Sequence, residues 1–205
     1  MLPPPRAMSN KPTATVRNPP EADPRVLRTT HALGRALIEL IQERDFDDII
    51  VQNILDRAGV ARATFYAHYR NKEDVLHSSY ERLFTFLEQS LDRPSPRGAR
   101  LFPVAEFLGH VNESRRVAEA LSICGHMDEL CDLGVGYATR IIERRIEQSM
   151  DVARDISRPL VARMLAGALF EGMKWWYDHP SVSSPAQIDA AFHELAHSAL
   201  RRSRR

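Results

Sequence analysis

The chain has 205 residues, enough to bury a hydrophobic core in one domain or two small ones. Apolar residues (43%) and charged residues (27%) stand in the usual proportion for a globular protein, and no segment approaches the ~20 consecutive apolar residues that span a membrane. Because the N-terminus lacks the apolar run of a secretory signal, we expect a cytoplasmic protein, and its formal net charge of +1 gives little support for binding nucleic acid.

The N-terminal segment, residues 1–24, holds seven of the 13 prolines and few large apolar side chains. Such a segment cannot bury enough surface to offset the entropy of ordering it, so we expect a flexible arm. Apolar residues spaced three or four apart then predict a first helix over residues 24–44. Thr30 lies near the start of this helix, where the amide dipole favours a phosphate group.

The segment 46–76 has the spacing of a helix-turn-helix motif. Ile54 and Leu55 form the apolar face of a first short helix. Gly59 interrupts that helix, and helical periodicity resumes at Arg62. In this motif the second helix lies in the major groove of DNA, so the segment predicts a DNA-binding unit.

The second helix of the motif carries side chains that can donate hydrogen bonds to DNA. Arg62 is the predicted base-reading residue, because a guanidinium can bridge O6 and N7 of guanine, and Ala63 could contact a thymine methyl group. Gln52, on the preceding helix, is a second candidate for a base contact or else a polar surface residue. Phosphate contacts, which set the register without reading the sequence, are predicted for Thr64, Tyr66, His68 and Lys72. Tyr69 completes the predicted DNA-binding set, although it could also pin the helix inward.

The run AGVARATFYAHYRNKEDVL resembles the signature of the TetR family of bacterial transcriptional regulators. The residues that carry the resemblance are Ala58, Gly59, Val60, Ala61, Thr64, Phe65, Tyr66, His68, Tyr69, Lys72, Glu73 and Leu76. The resemblance covers about residues 25–92. The chain departs from the family pattern at Asp45, where Gly is usual, at Ile50, where Thr is usual, and at Ala61, where a capping Ser is usual. Loss of a capping hydroxyl typically costs ~0.5–2 kcal/mol of helix stability.

The rest of the chain has helical patterns and no strand signals. A fourth helix should begin after the capping residue Asn71 and continue to about Asp92, before two closely spaced prolines. Further helices are predicted over residues 103–114, 115–123, 127–150, 159–179 and 184–202. We therefore expect an all-α fold of about nine helices: a helix-turn-helix domain of three helices over residues 25–72 and a C-terminal helical domain over residues 73–205.

The resemblance implies that the last two helices form a homodimer interface, a four-helix bundle with the partner copy. Their composition suits this role, because small residues let helices approach closely and large apolar residues add contact area. The predicted interface residues are Ala168, Gly172, Trp175, Trp176, Phe192 and Leu195. The alternative is that both helices are buried within one subunit.

The resemblance also implies that a small molecule bound in the C-terminal domain moves the fourth helix and spreads the two DNA-binding units. The candidate pocket residues are Phe84, Leu87, Phe107, Val111, Met127, Leu130, Tyr137 and Met164. Core packing is the alternative for each of them, since apolar residues at helical spacing look alike in a core and in a pocket. The sequence identifies no effector and predicts no cofactor.

Two further patterns suggest metal chemistry. His193 and His197 lie in a His-Glu-x-x-His sequence, which is typical of zinc proteases, but a catalytic zinc needs a third protein ligand and only SALRRSRR follows. We interpret both histidines as interface or surface residues, with a zinc hydrolase as the remote alternative. Cys124, His126 and Cys131 could form a metal sensor, yet their spacing does not converge on one helix, so we interpret the cysteines as reduced core thiols.

The sequence therefore predicts a sequence-specific DNA-binding regulator and not an enzyme. The resemblance implies a homodimeric repressor that a small-molecule effector releases from a palindromic double-stranded operator. The alternative is a regulator without an effector, whose C-terminal domain only dimerises. Activation and repression both stay open, because the sign of regulation depends on where the operator lies. No membrane partner is expected.

Overall fold

The computed structural model describes residues 23–92, 100–149 and 157–200. In these ranges the chain forms nine α-helices and one short 3-10 turn, with no strand, which confirms the all-α prediction. The predicted N-terminal arm lies outside the described residues, apart from its last two positions. The helices are α1 (Pro24–Ile41), α2 (Val51–Ala58), α3 (Arg62–Tyr66), α4 (Lys72–Ser90), α5 (Val104–Glu113), α6 (Arg115–Ile123), α7 (Met127–Ser149), α8 (Arg158–Asp178) and α9 (Pro185–Leu200), and the 3-10 turn is Phe46–Asp48.

The first helix is shorter than its apolar pattern predicts. It begins where expected, because the Asp23 carboxylate accepts a hydrogen bond from the N–H of Arg25 (2.9 Å) and caps the helix. It ends at Ile41 and not at residue 44. There the N–H groups of Gln42 and Glu43 bond to carbonyls three residues back (3.2 and 3.0 Å), which tightens the last turn into a 3-10 form.

The later helices begin at the capping residues that the sequence supplies. Asn71 Oδ1 accepts a hydrogen bond from the N–H of Asp74 (2.9 Å), which starts α4 as predicted. Ser184 precedes α9, and its hydroxyl accepts a hydrogen bond from the N–H of Gln187 (3.3 Å). Among the described residues, no helix combines the length and the hydropathy needed to cross a bilayer.

Two hydrophobic cores organise the described residues. The N-terminal core joins α1–α4 to α6 and the start of α7, and it includes Leu33, Leu37, Phe46, Ile54, Phe65, Val75, Leu76, Val117, Leu121 and Leu130. The C-terminal core joins α4, α5, α7, α8 and α9, and it includes Phe84, Leu87, Phe102, Phe107, Ile142 and Phe170. Because α4 contributes to both cores, it connects the helix-turn-helix to the C-terminal helices.

The helix-turn-helix also packs directly on the α6–α7 turn. The His126 ring stands edge-on to the Phe46 ring at 4.7 Å between centroids, and its Nε2 lies 3.3 Å from Oδ1 of Asp47. His77 on α4 makes a similar contact with Glu129 on α7, at 3.3 Å. The helix-turn-helix region is therefore in direct contact with the C-terminal half of the chain. The predicted boundary at residue 72 stays a prediction.

Candidate nucleic-acid interface

The turn between α2 and α3 depends on Gly59. This residue has φ +65°, a left-handed conformation that side chains with a Cβ rarely adopt. The N–H groups of Gly59 and Val60 both bond to the carbonyl of Leu55, which closes the end of α2. Ile54 and Phe65 are fully buried and hold the two helices together from the inside. The outer face of α3 is consequently turned to solvent.

That outer face carries most of the predicted DNA contacts. Arg62, Ala63 and His68 are exposed, and Tyr66 is 51% exposed. Thr64 is half-buried. Tyr69 is a correction to the prediction: its side chain is 7% exposed and its hydroxyl lies 3.1 Å from Oγ of Ser78, so it anchors α3 to α4 and does not face DNA.

Arg62 is linked to α2 by a chain of hydrogen bonds. Its Nη2 donates to Oε1 of Gln52 (2.7 Å), and Nε2 of Gln52 donates to Oδ1 of Asp56 (2.7 Å). The structure thus brings together Arg62 and Gln52, two of the residues predicted to contact bases. Asp56 is a member of this group that sequence reasoning missed, although its position one helical turn after Gln52 was a usable signal.

Other cations near α3 are neutralised. Arg57 donates to both carboxylate oxygens of Glu43 (2.9 and 2.7 Å), and this hydrogen bond lowers the pKa of Glu43 despite the opposing effect of burial. Arg70 bonds to Asp74 through its side chain and its backbone N–H, which together lower the pKa of Asp74 to about 2. Within residues 46–78, all of which the structure describes, Arg62 is the guanidinium that is held by a neutral amide.

Lys72 and Thr30 are placed differently from the prediction. Lys72 Nζ donates to the carbonyls of Phe46 (2.6 Å) and Asp47 (3.0 Å) and lies 4.5 Å from the centroid of the Phe46 ring. It secures the 3-10 turn, so its predicted phosphate contact is replaced by a structural one. Thr30 donates its hydroxyl hydrogen to the carbonyl of Leu27 (3.1 Å), and the Asp23 carboxylate occupies the helix end where a phosphate was expected.

The departures from the family pattern have local consequences. Ala61 precedes α3 and makes no side-chain capping bond. Ile50 cannot cap α2 either, but its N–H donates to Oδ1 of Asn53 (3.0 Å), which satisfies one exposed backbone donor. Asp45 has φ −59°, so the left-handed backbone that a glycine would favour is absent at this position.

The predicted effector residues lie in different surroundings. Phe84, Leu87 and Phe107 are buried within the C-terminal core, and Leu130 is buried within the N-terminal core. Val111 and Met127 pack on the C-terminal core, and Met164 is 64% exposed on α8. Because helical spacing alone does not say which face meets which neighbour, core packing accounts for most of this set. Tyr137 stacks on Phe84 at 5.1 Å between ring centroids.

Tyr137 also borders an open groove of about 380 Å³ between the helix-turn-helix and α7. The other residues around this groove are His68, Tyr69, Arg70, Asp74, His77, Ser78 and Glu81. Its lining is largely polar, unlike the apolar pocket that the sequence predicted.

The predicted dimer residues divide into two groups. Ala168, Gly172 and Trp175 are exposed on α8, and Leu195 is 71% exposed on α9. Trp176 and Phe192 point inward and belong to the C-terminal core, and Trp176 donates its indole N–H to the carbonyl of Ser183 (2.8 Å). These two are corrections. The exposed residues recur at three- and four-residue intervals along one side of α8, so they form a continuous apolar stripe.

His193 is a buried structural residue. Its Nε2 accepts a hydrogen bond from the N–H of Leu101 (3.1 Å), so the ring proton is on Nδ1, which lies 2.7 Å from the carbonyl of Asp189. Both ring nitrogens are engaged, which removes His193 as a zinc ligand. His197 follows one turn later, with its ring centroid 6.0 Å from that of His193. The surface position predicted for His193 is therefore wrong.

Cys124, His126 and Cys131 have different neighbours. Cys131 is buried in the C-terminal core, Cys124 packs on the N-terminal core, and His126 contacts Phe46. Burial raises the pKa of the Cys131 thiol, which keeps it protonated and unreactive. Across residues 23–92, 100–149 and 157–200, no three His, Cys, Asp or Glu side chains are grouped in a way that could hold a metal ion.

Together, a left-handed glycine turn, a buried Phe65 and an exposed donor-rich α3 define a helix-turn-helix DNA-binding protein. Residues 35–78 match the family model for bacterial regulatory proteins of the tetR family. A 63-residue segment is 38% identical to YxbF of Bacillus subtilis (strain 168), described as an uncharacterized HTH-type transcriptional regulator; this segment is 30% of the chain and spans 17% of that relative.

Solved structures resemble the chain over most of its length. The dihydroxyacetone kinase operon activator DhaS is 17% identical, with a TM-score of 0.63 over 84% of this chain and 96% of DhaS. The transcriptional regulator FadR from Bacillus subtilis, solved in complex with stearoyl-CoA, is also 17% identical, with a TM-score of 0.55 over 83% of this chain and 99% of FadR. At these identities the likeness shows the fold. The family match thus lies in the helix-turn-helix segment, residues 35–78, and over the rest of the chain the likeness to the solved structures is one of fold.

Proposed function

We propose that this protein is a sequence-specific transcriptional regulator that acts in the cytoplasm as a homodimer on a palindromic DNA operator. The observation that carries the proposal is the outer face of α3, where Arg62 is exposed and keeps an uncompensated charge. Neighbouring cations are paired with carboxylates or with backbone carbonyls. An exposed guanidinium on a helix that fits a major groove is suited to guanine, because its fork geometry matches O6 and N7.

The remaining contacts divide by side-chain chemistry. Tyr66 and His68 are exposed donors on or just after α3 and are suited to phosphate oxygens, with Thr64 as a half-buried third. Ala63, also exposed, presents a methyl group to a thymine methyl. Lys72 and Tyr69 support the motif from behind, through Phe46 and Ser78 respectively.

The proposed dimer interface is the apolar stripe of α8 together with Leu195 of α9. Met164 and Trp175 are more than half exposed, and small residues between them leave room for a second helix. Contiguous exposed apolar surface of this kind marks an association site. A two-fold pair of subunits would place two copies of α3 on successive major grooves, about 34 Å apart along the duplex.

We further propose that a small-molecule effector controls DNA binding through α4. This helix contributes Val75 and Leu76 to the N-terminal core and Phe84 and Leu87 to the C-terminal core. A ligand that repacks the C-terminal core would therefore displace the base of the helix-turn-helix. FadR, whose fold this chain shares, was solved with an acyl-CoA, which makes acyl-CoA thioesters a reasonable first set of probes. The proposed action is repression, although DhaS carries the name of an activator.

The test is selection of genomic DNA fragments by the purified full-length protein, followed by footprinting of the enriched fragments at physiological ionic strength. We expect protection of an inverted repeat with half-site centres about 10 base pairs, or a multiple of that, apart. A reporter gene placed behind the selected site then determines the sign of regulation. Footprints without inverted symmetry, or no protection at all, would contradict the proposal.

The effector proposal needs its own measurement. Acyl-CoA thioesters of several chain lengths should be added to the preformed protein–DNA complex, with free coenzyme A as the control. Release of the operator by one of them supports an effector-controlled regulator, since a ligand shifts the equilibrium only if it binds the two states differently. If a wider metabolite screen also releases nothing, the alternative of a purely dimerising C-terminal domain is favoured.

A further inference from the structure

Gln52 lies between the exposed guanidinium of Arg62 and the carboxylate of Asp56. We propose that Gln52 is a positioning residue, which holds Arg62 in the orientation that reads a base and does not itself read one. The inference rests on the proposed DNA-binding function. It adds a residue on which the specificity of Arg62 depends, at one position of the operator.

The orientation of the Gln52 amide follows from the chemistry of its two partners. An arginine side chain has only donors, so the amide atom 2.7 Å from Nη2 of Arg62 must be the oxygen. An ionised aspartate has only acceptors, so the amide atom 2.7 Å from Oδ1 of Asp56 must be the nitrogen. Both ends therefore select the same amide orientation.

This arrangement changes what Gln52 can do on DNA. A glutamine reads adenine by using its amide oxygen and its amide nitrogen together, against N6 and N7. Here the oxygen faces Arg62 and the nitrogen faces Asp56. A contact between Gln52 and adenine would break both of these hydrogen bonds, whereas a role in positioning Arg62 keeps them.

Arg62 gains orientation from the contact without losing its charge. It opens a helix of five residues whose capping position, Ala61, makes no side-chain bond, so little else restrains its long side chain. One of its five N–H donors is directed at Gln52, and the others remain for guanine. A carboxylate in place of Gln52 would keep an acceptor for Arg62 but add a negative charge beside it, as Glu43 does beside Arg57. Restricting the side chain before binding reduces the entropy lost on binding.

The experiment is a double-mutant cycle on the footprinted operator and a panel of its single-base variants. Arg62→Ala first identifies the base position that Arg62 reads, as the position where discrimination is lost. Gln52→Met, which keeps the length and removes both hydrogen bonds, should lower discrimination at that same position by about three- to tenfold. In the Arg62→Ala background, Gln52→Met should change affinity by less than about twofold, because there is no guanidinium left to position.

Two controls separate positioning from general damage. Gln52→Glu keeps an acceptor for Arg62, so it should retain discrimination while its added charge weakens binding to all variants alike. Gln89→Met, at an exposed glutamine near the end of α4, should leave affinity and discrimination unchanged. Thermal unfolding of each variant provides the check that the fold is retained.

The outcomes distinguish the two proposals. Equal losses from Gln52→Met with and without Arg62 would overturn the positioning role, because Gln52 would then contact DNA directly. Loss of discrimination in Gln52→Glu equal to that in Gln52→Met would also overturn it. If the wild-type protein protects no DNA, the proposed function itself fails.

Discussion

The exposed face of α3 and the exposed face of α8 meet solvent with opposite chemistry. On α3 the exposed side chains include the donors Arg62, held by a neutral amide, and Tyr66, which is half exposed. Along the apolar stripe of α8, Met164 is 64% exposed and Trp175 is 53% exposed. The first surface can bind a partner through charge and hydrogen bonds. The second can bind one by burying apolar area that is otherwise in contact with water. The two faces are thus suited to different partners, a nucleic acid and a second copy of the chain.

The supports beneath the two faces also differ. Under α3, Lys72 holds the motif through the carbonyls of Phe46 and Asp47, and Tyr69 holds it through Ser78. Under α9, Asp189 accepts hydrogen bonds from Arg100 (3.1 Å) and from the N–H of Ala105 (3.2 Å), so a carboxylate fastens this helix to α5. Substitutions in the two exposed faces test whether α3 binds DNA and whether α8 forms the dimer interface. Substitutions of Lys72 and Asp189 test whether these residues hold the helices beneath.

The largest expected effect is on dimerisation. A Cβ at Gly172 would meet no atom of its own subunit within 4 Å, so Gly172→Asp leaves the subunit fold intact. In a dimer the new carboxylate would be buried in an apolar interface without a partner, at a cost on the order of 3–5 kcal/mol. We expect monomers by light scattering and a loss of operator binding.

Gly109 on α5 provides the matched control for that experiment. A Cβ there also meets nothing within 4 Å, and the change in helix propensity from Gly to Asp is the same at both positions. Gly109→Asp should therefore remain dimeric. If Gly172→Asp is dimeric as well, the interface lies elsewhere and the comparison of the two faces fails.

The next effect in size is on base reading. Arg62→Ala should weaken specific binding by roughly 1–3 kcal/mol and relax the preference at one base position. Binding titrations against single-base operator variants measure both. The substitution Arg116→Ala, at an exposed arginine on α6, serves as the control for loss of one positive charge. Unchanged discrimination in Arg62→Ala would contradict its assignment as the base reader.

A smaller effect is expected on the free energy of unfolding at low pH, because Asp189 fastens α9 to α5. Burial raises the pKa of Asp189, but the hydrogen bond from His193, the charge of Arg100 and the hydrogen bond from the Ala105 N–H outweigh it and lower the pKa to about 2, from an ordinary 3.8. The folded state therefore favours the carboxylate, and the stability that this contributes is present above about pH 4 and is lost as the pH falls towards 2.

Asp189→Asn removes this titration. Between pH 5 and the lowest pH at which the protein folds, the wild-type protein should lose up to roughly 2 kcal/mol more of its free energy of unfolding than the variant does. Urea unfolding at a series of pH values measures the difference. Parallel pH profiles for the two proteins would show that Asp189 does not fasten α9 in this way.

The smallest effect concerns Lys72. Lys72→Met should lower the free energy of unfolding by about 1 kcal/mol, because the carbonyls of Phe46 and Asp47 lose their charged donor. The dependence of DNA affinity on salt concentration should keep the wild-type slope, since no phosphate contact is removed. A slope reduced by about one would restore the phosphate contact that the sequence pattern indicated.

The sequence by itself determined the helices and the DNA-binding motif. Helix periodicity, the capping residue Asn71 and the glycine turn at Gly59 act over a few neighbouring residues, so their consequences can be derived from local order along the chain. For the same reason the exposed positions of Arg62 and Tyr66 were predictable from the motif.

The tertiary structure alone decided which side of each longer helix meets a neighbour. Trp175 and Trp176 are adjacent in sequence, yet the first is exposed and the second is buried. Lys72 turns inward because the carbonyl of Phe46, 26 positions earlier, lies within its reach. His193 accepts a hydrogen bond from a backbone N–H that is 92 positions away. Such contacts depend on how the helices pack together, and periodicity within one helix carries no information about that packing.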